Sequence, residues 1–173
     1  MHEQEKEFIA AVLKTLSSYN IPISKVLLQK FIYFLGTQGI KTGFRFEPYT
    51  YGPYSFELAS TIGSMDFWDE IKIHSTEIKI CNLSHYNNNK TLIKHIKEYF
   101  DKFKSIVGDL TFRNLECIGT TLYCANAIIN YGNTPTQEAI VSEFKAWKKN
   151  RYSDEEIADA YTKLKPYILK INV

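Results

Sequence analysis

The run from Val26 to Leu35 constrains this chain more than any other stretch. Val26, Leu27, Leu28, Phe31, Ile32, Phe34 and Leu35, wound at helical spacing, cover most of the circumference of one helix. A helix that is apolar nearly all round cannot lie on a surface, because each side must be removed from water. The run is therefore predicted to be a central, buried helix. Ser24 is placed to cap it, and Gly36 or Gly39 to end it.

The remaining segments are read by their periodicity. Phe8, Ile9, Val12, Leu13 and Leu16 form one stripe on a first helix from about Glu3 to Tyr19, stopped by Asn20 and Pro22. Residues 44–56 hold six aromatics together with Pro48 and Gly52-Pro53, and are predicted to be extended and turning. Ser55 caps a short helix from Phe56 to Ile62. Asp69 to His74 and Thr76 to Ile80 alternate polar and apolar residues, the pattern of a β-hairpin. Ile71, Ile73, Ile78 and Ile80 should share one face. Helix, helix, helix, hairpin is the order of a winged helix-turn-helix.

His85 to Lys90 is polar and without period, so it reads as a connection. Beyond it, apolar stripes predict helices from about Lys90 to Gly108 and from Thr111 to Tyr131. Thr134-Pro135-Thr136-Gln137 and Ser153-Asp154-Glu155-Glu156 are capping boxes for two more, with Pro166 expected to kink or end the last. The expected architecture is α+β and mainly helical. A winged-helix lobe (residues 1–84) packs on a C-terminal helical bundle (residues 85–173) as one compact unit.

Composition excludes several classes. The chain has 173 residues and a net charge of +2, too little for a basic nucleic-acid coat and of the wrong sign for an acidic mimic of DNA. No apolar run approaches the roughly 20 residues of a membrane span. The first residues, Met1-His2-Glu3-Gln4-Glu5-Lys6-Glu7, are acidic where a signal peptide would be basic and then apolar. The cysteines, Cys81, Cys117 and Cys124, are too few for a disulfide framework. A cytoplasmic protein without a membrane partner is expected.

Enzyme signatures are absent: there is no P-loop, Rossmann glycine fingerprint, His-Glu-x-x-His or Gly-x-Ser-x-Gly. No catalytic residue, cofactor or metal is expected. Cys81 and His85 lack a second ligand pair, and Cys117 and Cys124 read as buried thiols. Glu116, in an otherwise apolar helix, is expected to be structural, bonded by Thr120 or Thr121 or paired with Arg113.

Two surfaces remain. Arg45, Tyr49, Tyr51 and Tyr54 are the candidates for protein binding, because tyrosine joins an apolar body to a polar tip. The simpler reading folds this turn back and buries its rings on the second helix. Lys145, Trp147, Lys148, Lys149 and Arg151, with Tyr152, are the candidates for nucleic-acid binding by phosphate contact and base stacking. The simpler reading there is a solvated helix end, with Trp147 anchored in the core. The stretch Ser55 to Ser64, where a reading helix would lie, has no Arg, Lys, Asn or Gln, which argues against DNA readout by the usual face.

Lys25-Val26-Leu27-Leu28-Gln29-Lys30, followed by Tyr51-Gly52-Pro53-Tyr54-Ser55, resembles the YwgA-like and Panacea-type (SocA-like antitoxin) proteins. Asn114-Leu115-Glu116-Cys117-Ile118-Gly119-Thr120 and Phe144 to Ser153 are similar to the YwgA-like pattern. That pattern also occurs in the domain C-terminal to the macrodomain of a DNA ADP-ribosylation antitoxin. The likeness covers residues 24–165 in pieces and departs from the family at Cys117, Ile118 and Gly119. It implies a non-enzymatic protein-interaction module, antitoxin-like or regulatory, with a protein partner. The alternative is a DNA-binding winged-helix regulator.

Overall fold

The computed structural model describes residues 2–168. Its centre is the helix α2 (Lys25–Thr37), in which every residue from Leu27 to Leu35 is buried. Ser24 starts it, its Oγ accepting from Leu27 N at 3.0 Å. Gly39, at φ +91°, ends it. Ile40 N donates to Leu35 O and Gly39 N to Gly36 O, at 3.1 and 3.2 Å, which satisfies carbonyls that the last turn leaves open. Of the two glycines expected to stop the helix, the one able to adopt a left-handed conformation outside it does so.

Helix α1 (Glu3–Ser17) buries its predicted stripe. Strand β1 (Ile23–Ser24) pairs antiparallel with β5 (Glu77–Ile80), which pairs with β4 (Ile71–His74), giving the order β1-β5-β4. Ile71 faces Ile80 and Ile73 faces Ile78, so the four isoleucines share one face. Burial along it is graded: Ile71 and Ile78 are buried, Ile73 is half-buried and Ile80 is exposed.

The turning segment contains a hairpin of its own, β2 (Glu47–Tyr49) with β3 (Gly52–Tyr54). Pro48 lies opposite Pro53. A non-hydrogen-bonded register position tolerates both rings, because no ladder N–H is needed there. Helix α3 (Phe56–Phe67) passes the predicted end at Ile62. Gly63 and Ser64 weaken the helix locally, but Met65 is fully buried and holds the following turn in place by packing.

The connection is not merely polar. Leu83 and Tyr86 are buried, and Tyr86 Oη donates to Glu70 Oε1 at 2.5 Å. After it come α4 (Lys90–Val107), α5 (Phe112–Asn130), α6 (Gln137–Lys148) and α7 (Asp154–Ile168). Their caps are Asn89, Thr111, Thr136 and Ser153, each accepting from a backbone N–H three residues on. For α6 this corrects the expected box. Thr136 rather than Thr134 is the cap, because Thr136 N turns back onto Thr134 O at 2.9 Å and leaves Pro135 outside the helix. Pro166 does not end α7 before Ile168. Only two residues of the described helix follow it, so little regular structure depends on its missing N–H.

Helix α2 carries the packing of both halves of the chain. Phe31 meets Phe100 at 5.0 Å and Phe103 at 5.4 Å between ring centroids, and Phe34 meets Phe103 at 5.3 Å. No helix among the described residues is long and apolar enough to cross a membrane. Phe31→Ala is expected to cost about 3–5 kcal/mol, from lost transfer energy and the cavity left behind. The midpoint of urea denaturation measures it, and a midpoint equal to that of the wild type would remove Phe31 from the centre of the core.

Candidate functional site

A lysine on an all-apolar helix has no face that leads to water. Lys30 is 2% exposed. Its stem runs between Gly119 of α5 and Gly52 of the β2–β3 hairpin. A Cβ at residue 119 would lie 2.9 Å from Lys30 Cδ, and one at residue 52 would lie 2.8 Å from Thr120 Oγ1 and 3.5 Å from Lys30 Nζ. Both glycines are thus required by close approach, and Gly52 also by its φ of +102°. At the end of this passage Lys30 Nζ donates to Pro53 O at 2.8 Å. One residue earlier, Gln29 holds both backbone groups of Ser55: Nε2 donates to its carbonyl at 3.0 Å, and Oε1 accepts from its N–H at 2.9 Å.

Glu116 lies beside this passage and is fully buried. Its Oε1 accepts from Tyr152 Oη at 2.6 Å and lies 3.3 Å from Arg151 Nε, while Lys148 Nζ lies 3.6 Å from Oε2. Lys148 Nζ also donates to the Thr50 carbonyl. The partners predicted for Glu116 are therefore corrected. Arg113 pairs with Glu156 at 2.8 Å instead, and Thr120 Oγ1 is buried without a hydrogen-bond partner. Burial pulls the Lys30 ammonium down from its ordinary 10.5 to about 7. The Glu116 charge opposes that shift and Lys148 adds to it. Burial lowers Lys148 as well. One carboxylate faces Lys148 and Arg151 directly and Lys30 at longer range, too little negative charge for three cations in low dielectric. Tyr152 is shifted upward, first by burial and then by its bond to Glu116, so it is a phenol donor throughout the neutral range.

Above this base the hairpin shows its rings to solvent. Tyr49 and Tyr51 are each 47% exposed, so the expectation that the turn folds its rings onto α2 is corrected. What packs downward is the Gly52-Pro53 backbone, because the two lysines occupy the space beneath. Tyr49, Tyr54 and Phe56 pack on one another at 5.0–5.3 Å. Tyr51 packs on Phe112 at 4.9 Å, with the Arg151 guanidinium 5.6 Å from its ring. A mainly apolar cavity of about 550 Å³ opens beside them, rimmed by Tyr51, Tyr54 and Phe112 and walled by Val26, Ile62 and Ile73. Arg45 does not join these rings. It lines a separate cleft together with Phe46.

The predicted basic face divides. Lys148 is turned inward onto Glu116, Lys145 pairs with Asp154, and Lys149 and Arg151 are exposed. Lys149 leaves the helix at φ +57°, so the face expected from the lysine spacing is lost. Trp147 is half-buried and packs on Tyr123 at 5.7 Å. Cys117 and Cys124 are buried, and burial pushes their thiols up to about 11 and about 12. Cys81 is exposed, and His85 Nε2 sits 3.0 Å from Glu70 Oε1. Among the described residues no three His, Cys, Asp or Glu side chains gather as a metal site.

Sequence reasoning missed Lys30. Its signal was present, in that a lysine set into a helix apolar on all sides must be enclosed. Comparison of the chain with models of protein families gave no match, and comparison with curated proteins gave none.

The depressed Lys30 pKa predicts a pH dependence of stability. Between about 7 and 10.5 the unfolded chain keeps a proton that the folded chain has released. The unfolding free energy gains a term that rises with pH across that window and is constant below it. In urea denaturation at about pH 6 and about pH 9, the wild type should show this gain relative to Lys30→Met. Parallel pH profiles for the two proteins would show that Lys30 stays protonated.

Proposed function

We propose that the chain is a non-enzymatic protein-interaction module, antitoxin-like or regulatory, that receives a protein partner on the β2–β3 hairpin. The observation that carries this reading is the pairing of exposed tyrosine rings with a hairpin backbone held from below by Lys30, Lys148 and Gln29. Protein interfaces centre on Tyr, Trp and Arg beside pockets that exclude water. A surface already fixed in place loses less entropy on binding. Tyr49, Tyr51, Tyr54 and Arg151 supply such groups, and the adjacent cavity offers a socket for an apolar side chain of the partner. The resemblance to YwgA-like and Panacea-type proteins supports the same reading, since its Tyr-Gly-Pro-Tyr motif is this hairpin.

A second reading is a DNA-binding regulator. The order α1, β1, α2, α3, β4, β5, with strands arranged β1-β5-β4, supports a winged helix-turn-helix, a fold that often reads DNA. Charge opposes it. Helix α3 carries Glu57 and Asp66 but no Lys or Arg, and Lys148 is committed to Glu116. The usual reading helix thus offers no cation to displace counterions from phosphate.

Affinity capture from a lysate of the source cells separates the readings. Tyr49→Ala with Tyr51→Ala should leave the melting curve unchanged and weaken retention of one protein about tenfold or more. Salt-sensitive binding of random duplex DNA that survives these changes, and is lost in Lys149→Ala with Arg151→Ala, would instead establish the regulator.

A further inference from the structure

The cleft that contains Arg45 is not used by the reading above. It has a volume of about 920 Å³ and lies between α2, the loop before β2 and the C-terminal part of α5. Its floor is Tyr33, buried on α2, with Phe46 at 5.3 Å and Tyr123 at 5.9 Å between ring centroids. Tyr131 stands at its edge, 85% exposed. Five aromatic residues line this opening, Phe44 among them, and they favour a flat, aromatic occupant, because stacking needs a π-face and little else.

The polar groups narrow the choice. Asn126 Nδ2 donates to Tyr33 Oη at 2.9 Å, and Asn126 Oδ1 is shielded from solvent without a hydrogen-bond partner. That leaves the amide oxygen to accept and the Tyr33 phenolic proton to donate, side by side. Turning the amide round only exchanges the two roles: the phenol would bond Oδ1, and Nδ2 would donate beside it. In either orientation the floor presents one donor next to one acceptor. A nucleobase presents the complementary pair along its edge, as N6–H with N7 in adenine or N1–H with O6 in guanine, and among the bases the two-ring purine has the larger π-face for the surrounding aromatic side chains. Buried polar atoms without partners are uncommon in folded proteins, and such an edge would satisfy both.

Arg45 supplies the charge. It is exposed at the cleft and forms no ion pair among the described residues. A guanidinium free of carboxylates suits a phosphate, which it can bind through two parallel hydrogen bonds. Glu47 acts electrostatically on the Tyr123 phenol, so one carboxylate lies near this cleft without pairing with Arg45.

We propose that this cleft binds a purine nucleotide, with the base among the rings of Tyr33, Phe46, Tyr123 and Tyr131, its edge on Asn126 and Tyr33, and its phosphate on Arg45. The site is separate from the tyrosine surface of the hairpin and does not depend on that surface binding a protein.

Calorimetric titration of the full chain tests it, using AMP and GMP, with adenosine, guanosine, CMP and inorganic phosphate for comparison. At least one purine nucleotide should bind saturably, and the matching nucleoside about tenfold more weakly. Arg45→Ala should bring the nucleotide down to the affinity of the nucleoside and leave the nucleoside unchanged. Asn126→Ala should weaken nucleotide and nucleoside alike. Should Asn126→Ala not fold, Tyr131→Ala, at an exposed edge, replaces it and should also weaken both. Tyr49→Ala with Tyr51→Ala should change nothing. The proposal is overturned if neither AMP nor GMP binds up to millimolar concentration, or if CMP binds as tightly as both. It is equally overturned if inorganic phosphate matches them, or if Arg45→Ala leaves nucleotide affinity intact.

Discussion

The bond from Lys30 Nζ to Pro53 O is the contact on which the rest of the site depends. It joins the central helix to the tip of a hairpin 23 positions on, and it does so through the interior. Burying an ammonium is costly, and a single neutral carbonyl does not offset that cost. The structure responds in two ways. It sets Glu116 nearby as a counter-charge, and it leaves the lysine with a weakened hold on its proton. Gly119 and Gly52 clear the passage, so two residues that look like ordinary flexibility are space for one side chain.

That arrangement explains the aromatic hairpin. A three-residue strand on each side, with prolines facing one another, has little ladder of its own. Without anchors it would be a loose loop. Lys30, Lys148 and Gln29 each bond to its backbone or to Ser55 just beyond it, and they leave no room beneath for the tyrosine rings. Firm backbone and exposed rings thus have one cause. The charge cluster below is in turn tied to the α6–α7 junction through Lys148, Arg151 and Tyr152, so residues that looked like a basic surface serve as the underside of the hairpin.

Helix α5 links the two regions of interest. Glu116 and Thr120 face the lysine passage, and Tyr123 and Asn126, with Tyr131 just past the helix end, line the second cleft. Both regions have polar side chains set against apolar walls, with at least one buried atom short of a partner. Arg45, which is close in sequence to the tyrosines, belongs with the second cleft, which it lines together with Phe46.

How much could be read in advance follows from the range of each interaction. The caps at Ser24, Ser55 and Ser153, a glycine stop at Gly36 or Gly39, the isoleucine face of β4 and β5 and the burial of α2 were all legible. Each rests on residues within a few positions of one another or on a periodic apolar pattern, and the chain carries that information locally. The shift of the α6 cap to Thr136 and the extension of α3 past Gly63 show the margin of such reasoning, where two similar local choices are decided by packing. Glu116 could be singled out as anomalous, yet its partner Tyr152 lies 36 residues away. Nothing in the spacing distinguished it from Arg113, one turn away on the same helix. Lys148 looked solvated because its neighbours are charged, and Lys30 passed unremarked among its apolar neighbours. The amino-acid order by itself determined which segments are helix or strand and which faces are apolar. The tertiary structure alone decided which polar side chains meet inside, because those contacts depend on how helices far apart in the chain approach one another.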